Sequence, residues 1–286
     1  MKGSDQVPPH RQMLSQSPQG VPPHPAFADG TAHIAAEIAR NAGRHALQWF
    51  RNPLSVETKE DESPVTEADR ETEAFIRAAI AQHFPQHAIL GEEFGGQGHT
   101  SDPLWVIDPI DGTRSFITGM PLWGTLLAYL QGGRCRVGVV EMPALDERWL
   151  GVAGEGTWFS DNRTPPRPCN VSACKALAQA RFYTTSPQYF EGPERRALDA
   201  LTACVAMTRF GGDCYSYGLL ALGMIDLVVE TRLQPYDYFP LIPVVQEAGG
   251  VITDWSGAPL DMNSDGRVIA AASPELHSAA CALLQV

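Results

Sequence analysis

The segment Trp105-Val-Ile-Asp-Pro-Ile-Asp-Gly-Thr113 sets two carboxylates, Asp108 and Asp111, three residues apart. The apolar run Leu104 to Ile107 enters it as a strand would, and Pro109 and Gly112 force a turn. A strand that ends in acids on a tight turn aims two charges and several backbone groups at one point. A hard cation such as Mg²⁺ wants that arrangement, with oxygen ligands, near-octahedral geometry and a few retained waters. A lone Asp-x-x-Asp is ordinarily a solvated turn pair. Here further acids stand at element ends, in Gly91-Glu92-Glu93, Pro64-Val-Thr-Glu-Ala-Asp69 and Tyr236-Asp237. Converging carboxylates repel and raise one another's pKa. Cations remove that penalty, and two or three of them could polarise a phosphoryl group, acidify a water and stabilise a leaving oxygen.

Gly112 and Thr113 follow Asp111 directly. Their backbone N–H groups could open a short helix and cradle a phosphate, with the Thr113 hydroxyl placed to hold an attacking water. Each residue also has a plainer reading. Asp69 could simply cap its helix as the partner of Thr66, and Asp237 could be the N-cap of a helix over 238–248. Glu92 and Glu93 could be a solvated pair, and Gly112 could answer a positive φ. No Ser or Cys nucleophile with a nearby His base stands out, which disfavours a covalent route.

These groups need a frame. Ile34, Ile38, Ala42, Ala46 and Phe50 share one face of a helix expected over 31–50. Thr66 to Asp69 reads as a capping box opening a second helix, and Ile89-Leu90 as a short strand. Residues 125–130, 135–141 and 147–153 read as an antiparallel meander broken at Gly132-Gly133 and Pro143-Ala-Leu-Asp146. Beyond a seam at Pro165, Pro166 and Pro168, strands at 180–184, 205–210, 225–230, 251–254 and 268–272 alternate with helices at 193–203, 215–223 and 238–248. A last helix starts at Ser273-Pro-Glu275, with Pro at its first position. The expected organisation is an N-terminal arm (1–28), an α+β half that binds metal and phosphate (29–165) and an α/β half that recognises substrate (166–286), an α/β fold class overall. Pro240 is tolerable in the first turn of the 238–248 helix, and Pro243 is expected to bend it.

Composition narrows the partners. The chain has 286 residues and a formal net charge of −12, which argues against a nucleic-acid backbone. No apolar run approaches the roughly 18 residues of a membrane helix. The six cysteines show no C-x-x-C spacing, so reduced thiols in a cytoplasmic protein are expected.

Together the motifs Ser63-Pro-Val-Thr-Glu-Ala-Asp69, Gly91-Glu-Glu93, Trp105 to Thr113, and Tyr236-Asp237 followed by Glu247-Ala-Gly-Gly250 resemble the inositol monophosphatase-like superfamily of metal-dependent phosphatases. The resemblance implies a layered α-β-α-β-α sandwich and a homodimer, with two or three Mg²⁺ per site. It implies that Glu92, Asp108, Asp111 and the Ile110 carbonyl ligate the first metals, and that Asp237 joins Asp108 and Asp111 around a second. Thr113, backed by Asp69, would orient and deprotonate water, and the Gly112 and Thr113 amides would hold phosphate. The run Arg209-Phe-Gly-Gly-Asp-Cys-Tyr215 looks like the histidinol-phosphate phosphatase branch, with Asp213 where the inositol branch has a small hydroxyl residue. Histidinol carries an ammonium and an imidazole, and an added carboxylate would attract that cation. Glu230 is a second candidate for the substrate head, and Arg209 for the substrate, a partner subunit or a pair with Asp213. Rival readings are the same chemistry on an inositol phosphate or a 3′-phosphorylated adenosine nucleotide, and a regulatory binding protein on this fold.

Overall fold

The computed structural model describes residues 30–53, 56–58, 64–96 and 102–285. The arm expected at 1–28 and Ser63 of the first motif lie outside them. Helix α1 (Gly30–Ala46) is followed by an antiparallel pair, β1 (Val56–Thr58) and β2 (Pro64–Thr66), and by α2 (Glu67–His83). A first sheet then forms from β3 (Ala88–Gly91), β4 (Leu104–Asp111), β5 (Gly124–Gln131), β6 (Arg134–Met142), β7 (Glu147–Val152), β8 (Gly156–Asp161) and β9 (Arg167–Pro168). The short α3 (Thr113–Ile117) joins β4 to β5. Next come β10 (Arg181–Thr184), α4 (Gly192–Cys204), β11 (Met207–Phe210), α5 (Cys214–Ala221), β12 (Leu227–Glu230), α6 (Pro235–Tyr238), α7 (Leu241–Gln246), β13 (Val251–Thr253), β14 (Val268–Ala271) and α8 (Pro274–Leu283).

The seven strands of the first sheet pair in chain order, and all but β3–β4 are antiparallel. The second sheet runs β11-β10-β12-β14-β13, parallel among the first three strands and antiparallel beyond. Side-chain alternation sorts each strand between two layers. Trp105 and Ile107 of β4 pack beneath α1 and α2, whereas Leu104 and Val106 face α5 and α7 on the other side. Val228, Val268 and Ala270 of the second sheet meet that same middle helical layer, while Leu227, Val229 and Ile269 face α4 and α8. The result is an α-β-α-β-α sandwich. Each buried Leu, Ile or Val contributes about 1.5–3 kcal/mol over its exposed state.

The middle layer sits unusually close to the first sheet. Gly138 of β6 and Gly151 of β7 are register partners. A Cβ at Gly138 would lie 2.0 Å from the Pro240 carbonyl oxygen, and one at Gly151 would lie 2.5 Å from the backbone of Pro243. The pair of bare strand positions lets α6 and α7 drop onto the sheet, which fixes the height of Asp237.

Three local expectations are revised. α1 stops at Ala46, and Phe50 instead turns in to pack, tilted, against Phe116 and Trp123. The meander runs on through β8 and β9. The helix expected over 238–248 begins earlier, at Pro235, and is interrupted at Phe239-Pro240. Pro243 does not bend it, because it falls in the first turn of α7, where no intrahelical N–H bond is lost.

Candidate active site

The acids of the central motif stand where β4 ends. Asp108 and Asp111 pair with Leu126 and Gly124 of β5, and a register shift between them bulges the strand. Asp108 is buried (1% exposed), and its Oδ1 accepts from the Ile110 amide at 3.0 Å. Thr125 Oγ1 donates to the Pro109 carbonyl (2.9 Å) and pins the bulge to β5. Gly112 follows with φ +82°, a left-handed conformation, and opens α3. A Cβ there would lie 3.1 Å from both Asp213 Oδ2 and the Leu122 carbonyl.

Asp237 comes from the opposite layer. It is not the N-cap of its helix but the third residue of α6, in a capping box with Gln234, whose amide donates to Asp237 Oδ2 at 2.6 Å. Carboxylate oxygens of Asp108, Asp111 and Asp237 lie within 4.8 Å of one another. Burial, then the neighbouring carboxylates, push the pKa of Asp108 and Asp237 well up. Glu92 is among those neighbours and hydrogen-bonds with Asp108. Burial also raises Asp111, against a 2.7 Å hydrogen bond donated by the Cys214 amide to its Oδ2. Among the described residues no Lys or Arg side chain forms an ion pair with Asp108, Asp111 or Asp237. An all-oxygen, carboxylate-rich cluster fits hard divalent cations.

Asp69 keeps its capping role. Its Oδ2 accepts from the Thr66 amide (2.8 Å) and hydroxyl (2.5 Å). Its Oδ1 is buried with no hydrogen-bond partner among the described residues. Burial raises its pKa to about 6, with Glu92 adding to the rise and the Thr66 bonds opposing it. Thr113 Oγ1 donates to the Ile110 carbonyl at 3.1 Å. That carbonyl is the backbone oxygen expected to bind metal.

A cavity of about 660 Å³ joins the cluster acids and Thr113, while Asp69 does not line it. Glu92, Asp108, Ile110, Asp111, Gly112, Thr113 and Asp237 line it together with Asp213 and Glu230. Asp213 holds a strained φ of +43° at the start of α5 but makes no cap; its Oδ2 accepts from Ser115 Oγ at 3.3 Å. Burial, then Asp111, push its pKa up to about 7. Glu230 ends β12, buried, and accepts from the Thr185 amide (2.6 Å), the Thr185 hydroxyl (2.9 Å) and the Thr184 hydroxyl (3.2 Å). Burial raises it to about 8 despite those bonds.

Arg209 stands apart from the site altogether. It lies exposed on the edge strand β11, opposite Tyr183, and does not line the cavity. Gly211 and Gly212, at φ +83° and +133°, turn the chain away between that strand and Asp213. The expected substrate contact from Arg209 is therefore withdrawn. The cavity instead gains Arg114, whose guanidinium lies 5.5 Å from the Tyr189 ring centre, as well as Thr185 and the buried Tyr217. Arg114 follows the central motif directly and was open to detection. Tyr189 and Thr185 carry no sequence signal, because only the second sheet brings them near Asp213.

Fold and site define a phosphoric monoester hydrolase. The chain belongs to the inositol monophosphatase family, whose model matches residues 29–286. The bifunctional phosphatase IMPL2 of Arabidopsis thaliana, a chloroplastic protein, is 38% identical over 266 residues, covering 90% of this chain and 75% of the relative. A histidinol-phosphatase of Chlorobaculum parvum is 36% identical over 239 residues, covering 83% of this chain and 90% of its own. Among solved structures, an inositol monophosphatase from Zymomonas mobilis matches with a TM-score of 0.81 and 39% identity, over 91% of this chain and all of that one. All six cysteines are free thiols. Among the described residues no helix is long and apolar enough to cross a membrane.

Proposed function

We propose that the protein is a Mg²⁺-dependent phosphomonoesterase that hydrolyses L-histidinol phosphate to L-histidinol and phosphate, a step of histidine biosynthesis. The observation that carries the substrate reading is the pair Asp213, half-buried, and Glu230, buried, two acids lining the same cavity as the metal-type cluster. Their raised pKa values hold Glu230 mostly protonated and Asp213 partly so in the free protein near neutrality. A cationic head entering the cavity would draw them into the ionised form, whereas the hydroxyls of an inositol ring offer no such gain. Histidinol-phosphatases among the relatives support the same choice.

On this reading Glu92, Asp108, Asp111, Asp237 and the Ile110 carbonyl hold two or three Mg²⁺. When bound, these ions would supply charge neutralisation at the phosphoryl oxygens and a more acidic water. The chain's own groups do the rest. The Gly112 and Thr113 amides at the start of α3 bind phosphate oxygens, and the Thr113 hydroxyl orients the attacking water. Asp69, one of whose oxygens has no hydrogen-bond partner among the described residues, backs Thr113 in taking the water's proton as the new P–O bond forms; the ester P–O bond breaks, and the alkoxide takes up a proton from solvent to leave as L-histidinol. We extend the reading to a cytoplasmic homodimer, which light scattering and fractionation test; the chloroplastic Arabidopsis relative makes the compartment worth measuring.

Phosphate release from L-histidinol phosphate, inositol 1-phosphate and 3′-phosphoadenosine 5′-phosphate, each with Mg²⁺ and with EDTA, tests the proposal. EDTA-sensitive preference for histidinol phosphate supports it. Preference for another ester keeps the mechanism and overturns the substrate. No release from any of them favours a regulatory binding role for this fold.

A further inference from the structure

Glu92 sits on a turn, Gly91 to Gly95, that closes on itself through a hydrogen bond from the Gly91 amide to the Gly95 carbonyl (3.1 Å). A short turn at a sheet edge would ordinarily hold a side chain poorly. This one is gripped from beneath by α2. Glu73, with no exposed surface, reaches across from that helix and accepts the Glu93 amide at Oε2 (2.7 Å) and the Phe94 amide at Oε1 (3.3 Å). Arg77, one helical turn on, donates from Nε to Glu73 Oε1 (2.7 Å) and from its other end to the Gly95 carbonyl. Its guanidinium also lies 5.9 Å from the Phe94 ring centre. The fit leaves no slack, since a Cβ on Gly91 would lie 2.0 Å from Glu73 Oε1.

A charge buried on this scale costs several kcal/mol unless its lone pairs are met. Here they are met by the turn's own amides and by Arg77. The same helix carries Asp69 one turn before Glu73, so one rigid element presents the water-side acid and anchors the turn that bears Glu92. We propose that Glu73, held by Arg77, is a positioning residue that sets where the Glu92 carboxylate meets Asp108. It touches neither substrate nor metal, and it acts through the backbone of the Glu92 turn. The inference rests on the reading above that Glu92 is a metal ligand.

The test is Mn²⁺ binding to the full chain without substrate, by calorimetry and electron paramagnetic resonance, alongside steady-state kinetics at varied Mg²⁺. Glu73→Gln is expected to weaken Mn²⁺ by about 10–100-fold, as loss of a group that orients a ligand does. Its kcat should climb back towards wild type as Mg²⁺ is raised, with KM for the ester unchanged. Arg77→Lys, which keeps the charge and loses one of the two grips, should fall between. Leu276→Ala, in the distant α8 layer, serves as a control of comparable destabilisation and should leave Mn²⁺ affinity alone. A folded Glu73→Gln protein with wild-type affinity overturns the proposal, as does an equal loss in Leu276→Ala. If Glu73→Gln does not fold, Arg77→Lys decides by the same readout. Should wild type bind no Mn²⁺, or Asp108→Asn bind it as well as wild type, the metal reading itself has failed, independently of Glu73.

Discussion

The backbone amide of Cys214 donates a 2.7 Å hydrogen bond to Asp111 Oδ2, across 103 positions of sequence. The first residue of α5, in the middle helical layer, thereby holds an acid from the end of β4. The cluster is assembled by two layers that meet, so its carboxylates are crowded before any cation arrives.

Crowding predicts a trade of function against stability. Asp108→Asn removes one of the repelling, buried charges, whose pKa is pushed up by burial and then by Glu92, Asp111 and Asp237. In EDTA the variant should melt higher than wild type, by about 2–4 °C for each kcal/mol relieved. In Mg²⁺ the order should reverse and activity should vanish. Calorimetric melts with and without metal check this; a variant less stable in both conditions contradicts it.

Gly112→Ala should be severely impaired yet folded. The residue must adopt φ +82°, at about 1–2 kcal/mol for an L side chain, and its Cβ would press on Asp213 Oδ2 and the Leu122 carbonyl. Shifting the phosphate cradle by a fraction of an ångström should cost about 10–100-fold in kcat. Single-turnover kinetics on a purified, fully folded variant give the answer.

Asp213→Ala separates the head group from the phosphate. A charge-assisted hydrogen bond is worth about 1.5–3 kcal/mol, or about 10–150-fold in kcat/KM. That loss is expected for L-histidinol phosphate and not for a neutral ester. Equal losses on both would leave Asp213 a structural residue of the α5 start.

Glu230 gives a pH signature. Its folded pKa of about 8 lies above the ordinary 4.5, because burial disfavours the carboxylate. The folded state therefore holds a proton that the unfolded state releases. Its contribution to stability is complete below about pH 4.5 and is lost as pH rises through about 8. Glu230→Gln should abolish that fall, so its Tm advantage over wild type, measured in EDTA, should grow from pH 5 to pH 9. A constant difference would count against a buried, protonated Glu230.

Much of this was legible in the residues. The apolar run Leu104 to Ile107 announced β4, and the spacing of Asp108, Asp111 and Thr113 located one wall of the cavity. What stayed hidden depended on contacts between distant segments. Asp237 looked like an N-cap because the break at Phe239-Pro240 divides its helix, although Gln234-Pro-Tyr-Asp237 already spells a capping box. Strand β8 was obscured by the Gly154-Glu-Gly156 turn that precedes it. Arg209 looked close to Asp213 in sequence, yet two glycines set it on an outer edge. Nothing in a helical Glu73 says that it will grip amides twenty residues away.

The bare pair Gly138 and Gly151 bears on how this scaffold tolerates redesign. By strand propensity alone, replacing either glycine with Ala or Val is an attractive stabilising change. In this sandwich the added methyl would lift α6 and α7 off the first sheet. Asp237 rides on that lift, so a thermostabilisation campaign guided by local preferences would detune the catalyst from the back of the sheet, at positions that never see the cavity.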